Sequence, residues 1–259
     1  MPARRLTARS VVASTLLGVT PPRLPTRSLV RTAELLGINA GTTRVAISRM
    51  VTAGELEPDG DGYRLASPAL LARQSRQAQS RTGATRPWDG GTWRLAVVVS
   101  DGDARPAAER AGLRAALGAL RYAELREGTW LRPDNLVDGV LPDAERTVHD
   151  ACHRFTAHPD GDGAALAARL WPLAGWAGVA RDLTARVAGL LDRLADGDVA
   201  ALGESFVTDA EVLRHLQADP LLPAALLPDG WPGPALRRAQ ADLDRSFKAH
   251  LVTWLRAEP

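Results

Sequence analysis

No helix runs through two adjacent prolines, because each lacks a backbone donor and each pushes the residue before it toward extended backbone. Pro21 and Pro22 therefore cut the chain within TPPRLP (20–25), and Gly37, Gly54 and PDGDG (58–62) cut it again. Between these breaks apolar residues recur at helical spacing. The spacing predicts a first helix over 7–17, with Leu6, Val12, Leu16 and Leu17 turned inward and Gly18 near its end. Thr26 caps a second over 27–36, with Leu29, Val30, Ala33 and Leu36 as its stripe, and Asn39 caps a third over 40–53. Strands over 55–57 and 63–65 flank the five-residue PDGDG loop. Three helices followed by a hairpin make a winged helix-turn-helix. Ser67 and Pro68 start a further helix, PALLARQSRQAQS, and RTGATRPWDGG (81–91) reads as a linker.

Composition shifts at that linker, since all seven tryptophans lie within residues 88–254. TWRLAVVVS (92–100) is a near-continuous apolar run of β-formers, hence a central strand. An amphipathic helix (104–121), a hairpin turning at Glu127–Gly128 (123–133) and a strand around 148–157 complete a β-α-β-β-x-β order. That order is an α+β ferredoxin-like sandwich. From Asp162 onward the pattern is helical: 163–171, 173–195, 198–218, a short turn near 221–227, and 234–257. The expected fold class is thus α+β and mostly helical. The expected domains are 1–80 for DNA binding, 92–160 for dimerisation, and 162–259 for effector binding and dimerisation.

Charge is distributed unevenly along the chain. Residues 1–86 hold thirteen arginines against five acids, a surplus of eight; the whole chain is +2, so the rest carries −6. Lys248 is the only lysine, so compositional bias explains arginine in place of lysine. It does not explain why acids avoid the first third. A basic module on an acidic body is the footprint of nucleic-acid binding. The N-terminal MPARRLTARSVVASTLLGVTPP resembles a signal peptide, but Ser14, Thr15 and Gly18 interrupt its apolar stretch, so it reads as the first helix. No run reaches the ~20 apolar residues a bilayer span needs. One cysteine, Cys152, allows no intrachain disulfide, which fits a cytoplasmic setting.

The third helix carries the most specific chemistry. Its inner face holds Thr43, Ile47, Met50 and Gly54; its outer face holds Thr42, Val45, Arg49 and Thr52, flanked by Arg44 and Ser48. A short, polar, cationic face suits the major groove: Arg chelates guanine, Ser and Thr bond base edges or phosphates, and Val45 meets a thymine methyl. Free N–H groups at the helix start suit a phosphate. The candidate DNA contacts are Arg27, Thr42, Thr43, Arg44, Val45, Ser48, Arg49 and Arg64. Arg9, Arg23 and Arg31 are further candidates for the phosphate backbone. Asp59 and Asp61 at the wing tip oppose deep insertion of the wing.

The run VVASTLLGVTPPRLPTRSLVRTAELLGINAGTTRVAISRMVTAGELE with GYRL resembles the N-terminal domain of the PaaX-type transcriptional repressors, regulators of phenylacetic acid degradation. The resemblance continues through RPWDGGTWRLAVVV, LREGTWLRPDNL and HLQADPLLPAALLPDGWPGPALR. It implies a dimeric bacterial repressor with a winged helix, a ferredoxin-like middle domain similar to a CRISPR-associated nuclease, and a helical C-terminal domain. It also implies release from the operator by an aryl-CoA thioester, phenylacetyl-CoA in the namesake group. A CoA thioester needs cations for its phosphates and an apolar slot for its acyl end. Arg132, His215 and Trp231, within the resembling segments, are the candidates, against an alternative in which they set turns and pack between helices.

Two other constellations hold ionisable groups. If helical, His149, Cys152 and His153 share a face that would permit a metal site; if a strand, His149 and His153 share a face while Cys152 points away, and these residues with His158 near a turn also suit plain exposure to solvent. No metal or cofactor is expected. Asp101 and Asp103 would hold Mg²⁺ in a nuclease, the alternative function, but an Asp/Gly turn is the favoured reading of them. There is no Ser-His-Asp spacing, P-loop or dinucleotide fingerprint, so an enzyme is not expected.

Overall fold

The computed structural model describes residues 6–99 and 106–257. The chain divides into two compact units. One holds residues 1–77, 186–211 and 239–259; the other holds 78–185 and 212–238.

In the first unit, α1 (Ala8–Leu17), α2 (Thr26–Leu35) and α3 (Ala40–Thr52) pack around Val12, Leu16, Leu29, Ile47 and Met50. Leu16 and Leu29 are fully buried; truncating either to Ala should cost ~2–5 kcal/mol. A reciprocal cap starts α1: Ser10 N donates to Thr7 Oγ1 (3.2 Å) and Thr7 N to Ser10 Oγ (3.0 Å). The reversal after α3 is tighter than the five-residue loop expected. Strands β2 (Leu56–Asp59) and β3 (Gly62–Leu65) leave only Gly60 and Asp61 between them. A third strand, β1 (Arg23–Pro25), pairs with the far side of β3. Arg23–Pro25 follows the two prolines that forbid helix, and extended backbone there is free to join the sheet. Gly62 is required by that pairing, because a Cβ would sit 1.9 Å from the Leu24 carbonyl oxygen. The helix α4 (Pro68–Thr82) follows, and Gln74 Nε2 donates to the carbonyls of Leu17 (3.3 Å) and Val19 (3.1 Å).

The second unit is built on β4 (Trp93–Val98), α5 (Ala107–Ala119), β5 (Ala123–Arg126), β6 (Thr129–Pro133), α6 (Pro142–Ala151) and β7 (Cys152–Ala157). The sheet is antiparallel with order β5-β6-β4-β7, the ferredoxin-like arrangement. The strand expected around 148–157 begins only at Cys152. Residues 142–151 form α6, with Pro142 at its start and Asp143 and Glu145 in its first turn, a charge placement that suits the helix dipole.

Both sheet faces are covered, which is why β4 reads as continuously apolar. One face sends Ala96 and Trp130 under Leu113 and Leu117 of α5 and Val148 of α6. The other sends Trp93 and Leu131 against Ala167 of α7 (Gly163–Leu170), Leu173 at the start of α8 (Leu173–Ala195), and Leu222 and Leu226. The helices α8, α9 (Val199–Gln217) and α10 (Gly233–Ala257) each contribute residues to both units. Among the described residues no helix is long and apolar enough to cross a membrane.

Candidate nucleic-acid interface

Helix α3 is held by its inner face, where Thr43, Ile47 and Met50 are almost wholly buried. Its opposite face stands clear: Thr42, Arg44, Val45, Ser48, Arg49 and Thr52 are exposed. Val45 is 51% exposed. Thr43, one of the candidate contacts, must be removed from the set. It is fully buried, and its hydroxyl donates to the Asn39 carbonyl at 3.1 Å. The helix start is also less open than expected, because Asn39 Oδ1 accepts from Thr42 N at 2.8 Å.

The structure separates the arginines of this unit into two groups. Arg9 is paired with Glu55, Arg64 with Glu57, and Arg23 lies 3.6 Å from Asp59. Arg31 donates to the Leu255 carbonyl at 2.8 Å and lies 4.7 Å over the Trp254 ring. Arg27, Arg44 and Arg49 are exposed and have no carboxylate partner among the described residues. The strand hairpin is therefore internally neutralised, whereas α3 and the start of α2 present uncompensated positive charge. An open cleft of about 500 Å³ lies at the starts of α2 and α3 and is lined by Arg27, Arg31, Glu34 and Arg44. Asp61 at the tip uses its carbonyl to accept from Thr26 N (3.1 Å) and Thr26 Oγ1 (3.0 Å), tying the turn to α2.

In the second unit, Arg132, His215 and Trp231 do not come together. Arg132 projects from β6 and is 5% exposed. His215 and Trp231 each stack on Trp176, with ring centroids 4.5 and 4.6 Å away. Trp176 Nε1 donates to the His215 carbonyl at 3.1 Å, and the His215 ring meets the Trp176 carbonyl at 2.9 Å. Burial lowers the His215 pKa, against the opposing pull of that carbonyl and of Asp219. Nearby, Arg237 and the buried Asp219 form an ion pair at 2.7 Å. These three aromatic rings pack one another, as turn-and-packing residues do.

His149 lies on α6 and His153 on β7, both exposed, while Cys152 is buried. Among the described residues no group of His, Cys, Asp or Glu is placed to hold a metal. Asp101 and Asp103 lie outside the described residues.

Two family descriptions match the chain: PaaX-like protein over residues 7–69, and PaaX-like protein C-terminal domain over residues 171–256. The first spans the three helices and the hairpin. A solved structure, the uncharacterized protein Rv0674 from Mycobacterium tuberculosis, is similar at 40% identity and a TM-score of 0.72, over 96% of this chain and 99% of that one. No curated protein matches the chain. These matches define the class first, a family of regulators rather than of enzymes. The chain belongs to the PaaX-like family.

Proposed function

We propose that the protein is a DNA-binding transcriptional repressor whose winged helix-turn-helix seats α3 in the major groove of double-stranded DNA. One observation carries this reading: α3 turns an exposed, cationic, short-chained face outward, and its arginines are left without internal counter-charge. A solvated structural helix would gain from neighbouring acids, as the hairpin arginines do. In the groove, Arg44 and Arg49 are the base-edge donors, Thr42 and Ser48 bond edges or phosphates, and Val45 meets a thymine methyl. Arg27 at the start of α2 contacts the phosphate backbone. Arg64, paired with Glu57, contributes little, and the neutralised wing stays shallow.

In this reading the protein is a cytoplasmic homodimer with domains over 1–80, 92–160 and 162–259, non-enzymatic and without a cofactor. Its two α3 helices meet half-sites about 34–36 Å apart or a multiple of that. A small-molecule effector, of the acyl-CoA class by family likeness, releases it by binding DNA-competent and incompetent dimers unequally. Genome-wide footprinting followed by a salt-controlled mobility-shift titration tests the proposal. The expected result is a discrete palindromic site whose affinity falls steeply with salt. Binding that is equal on all sequences, or absent, overturns it.

A further inference from the structure

The second unit's sheet ends in two unlike edges, β5 and β7. An edge strand offers unpaired N–H and C=O groups to any other strand, and proteins blunt such edges with bulges, prolines or lysines. β5 is blunted: its pairing with β6 shifts register between Glu124 and Arg126, which bends the strand. β7 is not. It pairs with β4 in unbroken register from Val98↔Cys152 to Trp93↔Ala157, and it holds no proline or lysine. His153, Arg154, Phe155 and Thr156 are exposed, and among the described residues no strand lies beyond them.

One hydrogen bond fixes which main-chain groups reach the open edge. Val99 N donates to the Ala151 carbonyl at 3.0 Å, so these two residues form a hydrogen-bonded pair. Such pairs recur at every second position of an antiparallel ladder, so His153 and Phe155 also turn their main-chain groups toward β4. Arg154 and Thr156 turn theirs outward. Side chains alternate as well. Phe155, opposite Leu95, stands on the face that carries Trp93 and Leu131. Those two are buried, whereas Phe155 is 53% exposed.

We propose that β7 pairs antiparallel with β7 of a second copy of this chain, about a two-fold axis at Phe155, so that the two sheets become one. Antiparallel pairing of identical strands is generated by a two-fold axis perpendicular to the sheet. Such an axis keeps side chains on their own face, so it falls at one residue, which meets its own copy. Of the available centres, Arg154 and Phe155 overlap the two strands most fully. The first sets Arg154 against Arg154 of the second copy, a like-charge pair that destabilises a sheet. The second sets Arg154 against Thr156 of the second copy, and their outward main-chain groups exchange hydrogen bonds on both sides of the axis. The two Phe155 rings then meet at a non-hydrogen-bonded position, where side chains come closest. A second copy suits this edge because the residues that need partners also supply them. The proposal rests on the homodimer of the reading above and names one strand of its interface.

The full-length protein without DNA provides the test. In the Phe155 register the paired Cα atoms at 155 lie about 4.5 Å apart, within disulfide reach, and those at 154 lie on a diagonal of about 7–8 Å, beyond it. Phe155→Cys should therefore give a disulfide-linked dimer under mild oxidation, and Arg154→Cys should link no more than about a tenth as fast. The wild type, whose single cysteine is buried, sets the baseline. Thr156→Pro removes an outward N–H at an edge position that tolerates proline, and should raise the dimer dissociation constant at least about tenfold in sedimentation equilibrium. If Thr156→Pro does not fold, the cysteine variants decide alone. A wild type that stays monomeric at ~100 µM overturns the homodimer and this edge together. A dimer that Phe155→Cys does not link, or that Arg154→Cys links as fast, overturns the edge and leaves the homodimer standing. So does a folded Thr156→Pro variant with unchanged affinity.

Discussion

The arginines of α3 and those inside the second unit carry the same charge in opposite settings. Arg44 and Arg49 are exposed, and water dissipates their unbalanced charge. Arg132, Arg121 and Arg237 are buried or nearly so, and each must find its compensation inside the protein. Arg237 finds a carboxylate. Arg121, from a left-handed backbone (φ 63), donates to the Gln217 carbonyl and to Ser80 Oγ (3.3 Å), and burial pushes its pKa down to about 10. Arg132 finds the Pro133 carbonyl and Tyr122, with no carboxylate partner among the described residues. The difference teaches that solvent carries an unpaired charge on the surface, whereas an interior arginine must draw on carbonyls, hydroxyls, ring faces or a carboxylate of the protein itself.

The largest effect should come from breaking the buried Arg237–Asp219 pair. Arg237→Met leaves Asp219, whose side chain is 2% exposed, without its cation, and should destabilise the protein by ~3–5 kcal/mol in denaturant unfolding. A smaller loss would mean that Asp219 is satisfied by the Leu221 amide alone (3.0 Å). Next, Arg49→Ala should weaken operator binding by ~1–3 kcal/mol with the fold intact, and lower the salt slope by about one if Arg49 meets a phosphate instead of a base. Unchanged affinity at fixed salt would remove Arg49 from the interface.

Arg132→Met should leave stability unchanged or raise it by up to ~1 kcal/mol, the reverse of Arg237→Met, because no carboxylate is orphaned. A large loss there would show that the Tyr122 contact is structural. His215 provides a pH test. Its folded pKa lies below the ordinary 6.5, so the unfolded chain binds the proton more readily. The stability from neutral His215 is complete above pH 6.5 and is lost as pH falls through the folded value. His215→Gln should flatten the unfolding midpoint over that window. Smallest of all, Glu57→Gln frees Arg64 and should change stability by less than ~0.5 kcal/mol, since both partners are 51% exposed. A marked gain in DNA affinity from that variant would mean that the wing approaches DNA closely.

Much of this architecture was legible along the chain. The helix bounds over 8–17, 40–52, 173–195 and 199–217 fall within a residue or two of the spacing-based expectations, because caps, glycines and prolines act on their immediate neighbours. The outward face of α3 was legible for the same reason. What escaped was set by partners distant in sequence. β1 was hidden because strand identity depended on β3, 37 to 41 residues away in the register from Pro25↔Gly62 to Arg23↔Arg64. Residues 142–151 were missed because α6 has a single buried residue, Val148, and so no apolar stripe. Thr43 stands on the inward face by its spacing, and its complete burial in the structure separates it from the DNA contacts.

The sequence by itself determined where helices and strands stop, which face of α3 is polar, and that positive charge gathers in the first third, since all of these are local properties of order and spacing. Only the tertiary structure decided which of those charges survive. Arg9 meets Glu55, Arg23 meets Asp59 and Arg31 meets the end of α10, whereas Arg27, Arg44 and Arg49 have no carboxylate partner among the described residues. It decided likewise that Arg132 lies buried. Neutralisation is a matter of a few ångströms between groups that the chain order sets far apart, and no pattern along a line records that distance.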